Sequence, residues 1–136
     1  MFVVAIGAVI AVLAGGQYSA YVDRAKVEAA KVDILMVGTE IERWRNSKGS
    51  YPVSLDTIGR GSLMDPWGRP YHYTDLTGPG NGEARKDKRL NPLNSDFDLF
   101  STGKDGVFKS QVDNKDSLDD VIRARDGAFI DLAGKF

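Results

Sequence analysis

No proline interrupts the chain between Met1 and Pro52, and its first 16 residues carry no charged or hydrogen-bonding side chain. From Gln17 polarity is ordinary, but the helical register continues. Val27, Ala30, Ile34, Val37, Ile41 and Trp44 recur at alternating spacings of three and four, while Glu28, Lys31, Glu40, Glu42, Arg43 and Arg45 fall mostly off that stripe. The pattern predicts one helix over about residues 1–46, close to 70 Å long at ~1.5 Å per residue, with an apolar first third and one buried face thereafter. The remaining residues cannot bury such a helix, so part of it must protrude. Gly15 and Gly16 mark the point where it would bend or melt most easily, since glycine lowers helix stability; close helix packing is the plain alternative. A cleaved secretory signal peptide would also explain the apolar run, but no Lys or Arg precedes it and no loop follows it.

Composition narrows the function classes. The chain has 136 residues and a formal net charge of −1, so one domain is expected and no overall field draws a nucleic-acid backbone. No cysteine and a single histidine, His72, remove disulfides, thiolate metal sites, thiol nucleophiles and any triad needing a second imidazole. Paired aspartates alone, without a positioned base or a phosphate cradle, give no reaction, and an enzyme is not expected.

The rest reads as a small β-containing unit. Gly49, Pro52, Gly59 and Gly61 punctuate the exit from the helix, with Val53, Leu55 and Ile58 expected to cap the core. Tyr71-His72-Tyr73, Phe97–Phe100 and Phe129–Leu132 are short alternations bounded by turn residues, the signal for an antiparallel sheet. His72 is expected to face away from Tyr71 and Tyr73 as a surface residue, and Trp67, between Pro66 and Gly68, to anchor a turn on the core. The charged run from Glu83 to Arg89 has a formal charge of only +2 and reads as a solvated excursion.

Between Asp96 and Asp120 stand seven aspartates against three lysines. Clustered carboxylates repel unless a cation sits among them, and a set of hard oxygens favours calcium. The segment is not an EF-hand, because the sixth position from Asp113 is Leu118 where that loop needs glycine. On composition alone a solvated acidic loop is the simpler reading.

Three motifs in order carry a resemblance: the apolar start running into Gln17-Tyr18-x-x-Tyr21-Val22-x-Arg24-Ala25-Lys26, then Asp65-Pro66-Trp67-Gly68-x-Pro70-Tyr71, then Asp98-Leu99-Phe100-Ser101-x-Gly103-x-Asp105-Gly106. Together they span nearly the whole chain and resemble the type IV pilin superfamily, most closely the major pseudopilins of type II secretion. The resemblance implies an α+β pilin fold. The apolar half-helix, residues 1–24, would serve as membrane anchor and filament core, with Phe2, Val3, Val4, Ile6, Val9, Ile10, Val12 and Leu13 buried among neighbouring copies. Residues 25–136 would form the globular domain. It also implies calcium bound between the Ser-x-Gly-x-Asp-Gly loop and the acidic stretch after it. Asp105 carries over directly; Asp116, Asp119 and Asp120 are the downstream candidates, with backbone carbonyls at Thr102 and Val121.

Two departures stand out. Family precursors have a basic leader, a glycine before the cleavage point, a mature-start phenylalanine and an early glutamate, none of which precedes Met1. The chain is therefore expected to begin inside that motif, through a start called too late, a shortened chain or different processing. Proline usual near Gly16 is replaced by Gly15-Gly16. The expected function is a structural subunit of a pilus-like filament driving protein export, held in the bacterial inner membrane as a single span, methylated at its amine, then moved into a periplasmic or extracellular homopolymer by an inner-membrane assembly platform with minor pseudopilins. A major pilin of a surface pilus for adhesion or motility, and a secreted calcium-binding module with a cleaved signal peptide, are the alternatives.

Overall fold

A computed structural model describes the backbone from Phe2 to Phe136 and the side chains from Gly15 onward, Gly80 excepted. Helix α1 (Phe2–Lys48) runs as one element of 47 residues, passing Gly15 and Gly16 without a break. No atom lies within 4 Å of where a Cβ would stand at either glycine, so packing inside the chain does not require them. The stripe expected to be buried is buried: Ala30, Ile34, Val37 and Ile41 lie under the domain, with Val27 partly covered and Trp44 half-buried. The helix ends two residues later than expected because Gly49 takes φ +81° and its N–H donates to the Arg45 carbonyl (2.7 Å), closing the last turn with Arg45 and Lys48 beside the negative end of the helix dipole. Phe2, Val3, Val4, Ile6, Val9, Ile10, Val12 and Leu13 have side chains outside the described residues. Among the described residues no helix is long and apolar enough to cross a membrane.

Four strands, β1 (His72–Asp75), β2 (Phe97–Ser101), β3 (Val121–Ala124) and β4 (Phe129–Leu132), form an antiparallel meander in the order β1-β2-β3-β4. The helix-on-sheet arrangement is the α+β fold that the resemblance implies. β3 was not among the expected strands, and the reason is Arg123. It stands on the helix face of an otherwise apolar strand, stacked over the Phe97 ring at 3.8 Å and paired with both Asp96 oxygens (2.8 and 2.7 Å). A buried, paired arginine hides the period that would have marked the strand. Phe97 and Leu99 on β2, Val121 on β3 and Ile130 and Leu132 on β4 pack on the α1 stripe. The Tyr71 hydroxyl donates to Asp33 on α1 (2.7 Å), fastening the start of the sheet to the helix.

The opposite sheet face is covered too. Phe100, Ile122 and Ala124 meet Leu93, Val112 and Ala133, so the long connections between strands and the C-terminal turn after β4 form a third layer. His72 does face away from Tyr71 and Tyr73, but it is not a free surface residue. Its ring stacks on Phe100 (centroids 4.9 Å, planes 9° apart) and is flanked by Phe108 (4.9 Å). In the segment after α1, Leu55 is buried and Ile58 partly so, whereas Val53, expected to cap the core, is 92% exposed. Here the Arg60 guanidinium clasps both Glu40 oxygens (2.7 and 2.6 Å), taking over part of that anchoring.

Candidate metal centre

Two turns brought together at the end of β2 build the site. In the first, Asp65 Oδ1 accepts from the backbone N–H groups of Trp67 (3.0 Å) and Arg69 (2.9 Å), and Gly68 supplies φ +83°. Its other oxygen receives the Ser101 hydroxyl at 2.6 Å, and Ser101 Oγ accepts from Gly103 N (3.1 Å). Arg69 then donates to the Gly103 carbonyl (3.0 Å). The two motifs thus hold each other, one setting the path of the other. Trp67 packs partly buried on the core as expected.

The second turn, residues 102–106, folds against the acidic stretch. Gly103 has φ +65°, and a Cβ there would stand 2.1 Å from the Asp119 carbonyl oxygen, so only glycine allows the approach. Asp105 N donates to Asp119 Oδ2 (2.9 Å), and Asp105 Oδ1 accepts from Val107 N (2.9 Å). Asp120 is fixed from behind, its carbonyl accepting from Ala133 N (2.9 Å) at the end of β4.

One carboxylate oxygen from each of Asp105, Asp119 and Asp120 then lies within 4.8 Å of the other two. That separation is about twice a calcium–oxygen bond of ~2.3–2.6 Å, so the three can share one coordination sphere. The Asp105 carboxylate is exposed, Asp119 half-buried and Asp120 fully buried. Among the described residues, Asp120 Oδ1 and the buried Thr102 hydroxyl have no hydrogen-bond partner. A buried oxygen left without a donor is costly, and a hard cation is the ligand that a set of acceptors such as this one fits.

Electrostatics agree with the geometry. Burial pushes the Asp120 carboxyl up to about 7, with Arg85 holding it down and Asp119 and Asp105 adding to the rise. Burial also raises Asp119, and the neighbouring Asp105 carboxylate raises it further. The balancing cation is Arg85, which donates from Nη2 to Asp120 Oδ2 at 2.7 Å, with both side chains buried. Its guanidinium lies over Phe100 (4.2 Å) and Phe108 (5.3 Å), and its backbone N–H donates to buried Asp98 (2.6 Å). The run from Glu83 to Arg89 is therefore not wholly solvated: Arg85 is 2% exposed and belongs to the core. Nothing in the run separates Arg85 from Lys86, Lys88 and Arg89. The usable signal was the aspartate excess downstream, which demands a buried cation from elsewhere in the chain.

Of the residues expected to bind metal, Asp105, Asp119 and Asp120 come together. Asp116 lies outside that group, on the 3₁₀ turn Lys115–Ser117, with its N–H bonded to the Asn114 side chain (3.0 Å). Thr102 and Val121 are both buried and flank the cluster in sequence, beside Gly103 and Asp120.

The chain is 31% identical over 116 residues to the type II secretion system core protein G of Xanthomonas campestris pv. campestris, covering 76% of this chain and 72% of that protein. No family model matches the chain, and no solved structure matches it.

Proposed function

The chain belongs to the type II secretion system core protein G family, and on that premise we propose that it is the major structural subunit of a helical, pilus-like filament that drives protein export. The observation that carries this reading is the division of α1: among its described side chains, those from Gly15 to Tyr21 are all exposed and full burial begins at Ala30, while the helix itself begins at Phe2. From Gly15 to Val27, the first residue packed on the core, about 18 Å of helix at ~1.5 Å per residue makes no core contact. The first 16 residues are uniformly apolar, so that projection requires lipid or other copies around it. Before assembly it rests as a single inner-membrane span, and in the filament the apolar halves form a common core. Moving from lipid to protein gives little hydrophobic gain, so packing and work from an assembly platform must draw the subunit out. Gly15-Gly16 is the place where the helix would loosen during that transfer.

Asp105, Asp119 and Asp120 would hold one structural calcium ion, with the orphaned Asp120 Oδ1 as support. When bound, the ion would supply the positive charge that Arg85 alone does not give to three carboxylates. The protein's own residues do the positioning: Gly103 admits the loop, Arg85 occupies the far oxygen of Asp120, and Asp65 with Ser101 sets the loop's start.

Electron microscopy of the sheared surface fraction from cells overproducing the chain tests the assignment. Filaments that contain the chain, and that disappear when residues 1–16 are deleted, are expected. An intact chain found only as soluble monomer in cells that carry the secretion machinery would contradict it.

A further inference from the structure

The face of α1 that packs on the domain does not stop at Val27. One turn earlier, at the spacing that also separates Ala30 from Ile34, stands Asp23, the first charged residue of the chain. Asp23 continues the buried stripe at the level where the apolar core gives out. Lys104 meets it there, its Nζ donating to Asp23 Oδ2 at 3.0 Å across 81 residues of sequence. Lys104 immediately precedes Asp105, so the loop that carries the candidate metal centre reaches α1 where the helix leaves the domain.

The backbone of this loop is held separately, by Arg69. Its guanidinium donates to the carbonyls of Gly103 (3.0 Å) and Lys104 (3.4 Å), and a Cβ at Gly106, which has φ +72°, would run into it. The Lys104 side chain is not fixed in this way: it is 65% exposed, and with Val27, Trp67 and Asp119 it lines a cleft of about 330 Å³ beside the helix. Lys104 thus stands between two sets of acceptors, Asp23 on α1 and the carboxylates of the candidate site, of which Asp119 shares the cleft. A divalent cation among those carboxylates offsets their attraction for the ammonium and repels it, leaving Asp23 as its partner. With the cluster uncompensated, Asp119 competes for the same charge. The two placements of Lys104 therefore interact differently with the ion, which is the condition for the ion to shift the balance between them. An exposed pair of this kind adds little to global stability, so its effect lies in where it holds the helix.

We propose that Lys104 is a strap between the candidate calcium loop and the exit of α1; the proposal rests on the metal reading. An ion held by Asp105, Asp119 and Asp120 keeps Lys104 on Asp23 and fixes the helix to the domain one turn further toward its N-terminus than the apolar core does alone. Calcium then controls how firmly the direction of the projecting half-helix is set.

Hydrogen exchange of the full-length chain in detergent, followed by mass spectrometry, reads the strap. Millimolar calcium is expected to slow exchange at residues 21–29 by about threefold or more relative to chelator, beyond any change at residues 34–41 of the same helix. Lys104→Gln and Asp23→Ala are each expected to abolish that local difference while the calcium-dependent rise in Tm remains, and Lys104→Arg to keep both. A Tm rise in calcium without local slowing, or slowing that survives in either Lys104→Gln or Asp23→Ala, would overturn the strap and leave the metal site standing. Absence of any Tm response to calcium in the wild-type chain would overturn both.

Discussion

Arg85 and Asp120 meet at 2.7 Å with both side chains almost fully buried, joining two segments 35 residues apart. The pair ties the connection before β2 to the acidic cluster after it, and leaves one Asp120 oxygen free of any donor among the described residues. Removing one partner of a buried pair strands the other charge. Arg85→Ala is expected to cost about 3–5 kcal/mol in urea unfolding of the detergent-solubilised chain. Arg85→Met combined with Asp120→Asn should recover part of that loss, because no uncompensated charge remains. Equal stability of Arg85→Ala and wild type would show that the pair is not formed.

Calcium should stabilise the chain by RT ln(1 + [L]/Kd), about 2.7 kcal/mol at a hundredfold excess over Kd. For a domain of this size that corresponds to a rise in Tm of about 10 °C relative to chelator. Asp119→Ala should abolish the rise, and magnesium, which demands tighter octahedral geometry, should reproduce little of it. Identical melting in chelator and in millimolar calcium would remove the metal from this site.

Gly103→Ala separates the loop's path from its charges. The added methyl would stand against the Asp119 carbonyl at 2.1 Å, in a backbone conformation that disfavours side chains. A loss of about 1–3 kcal/mol is expected, together with loss of the calcium-dependent Tm shift although all three aspartates remain. A calcium response equal to wild type would show that the close approach is not needed for binding.

His72 gives a pH signature. Burial pulls its imidazole below the ordinary value of 6.5, and the nearby Arg85 charge adds to that while Asp65 opposes it. The unfolded chain therefore binds the proton more readily than the folded one. The stability is present above pH 6.5 and is lost as pH falls through the lowered folded value. His72→Phe should remove that slope, so the two stability curves converge in neutral buffer and separate toward pH 5. Parallel curves across this range would contradict the half-buried placement of the ring against Phe100.

Much of this was legible from spacing alone. The three-and-four repeat from Val27 to Ile41 located the buried helix face, and the order of the Asp-Pro-Trp-Gly and Phe-Ser-x-Gly-x-Asp-Gly motifs anticipated two turns that prove to be joined by Ser101 and Asp65 at 2.6 Å. What escaped in the sheet and its covering layer has one physical cause. Arg85 and Arg123 are buried because each finds a carboxylate and an aromatic face across long sequence separations, and a local pattern scores both as surface. Hidden with Arg123 was β3, and hidden with Arg85 was the third layer that covers His72. Asp119 and Asp120 could be guessed from the charge excess, but their meeting with Asp105 depends on the close approach at Gly103.

The most direct measurement is intact mass with N-terminal sequencing of the chain recovered from sheared filaments and, separately, from membranes of native cells. A filament subunit predicts that the apolar residues 1–16 are retained in both fractions, with any processing confined upstream of them. A native chain that begins near Gln17 and is absent from both fractions would contradict the assignment and make the apolar run a cleaved signal.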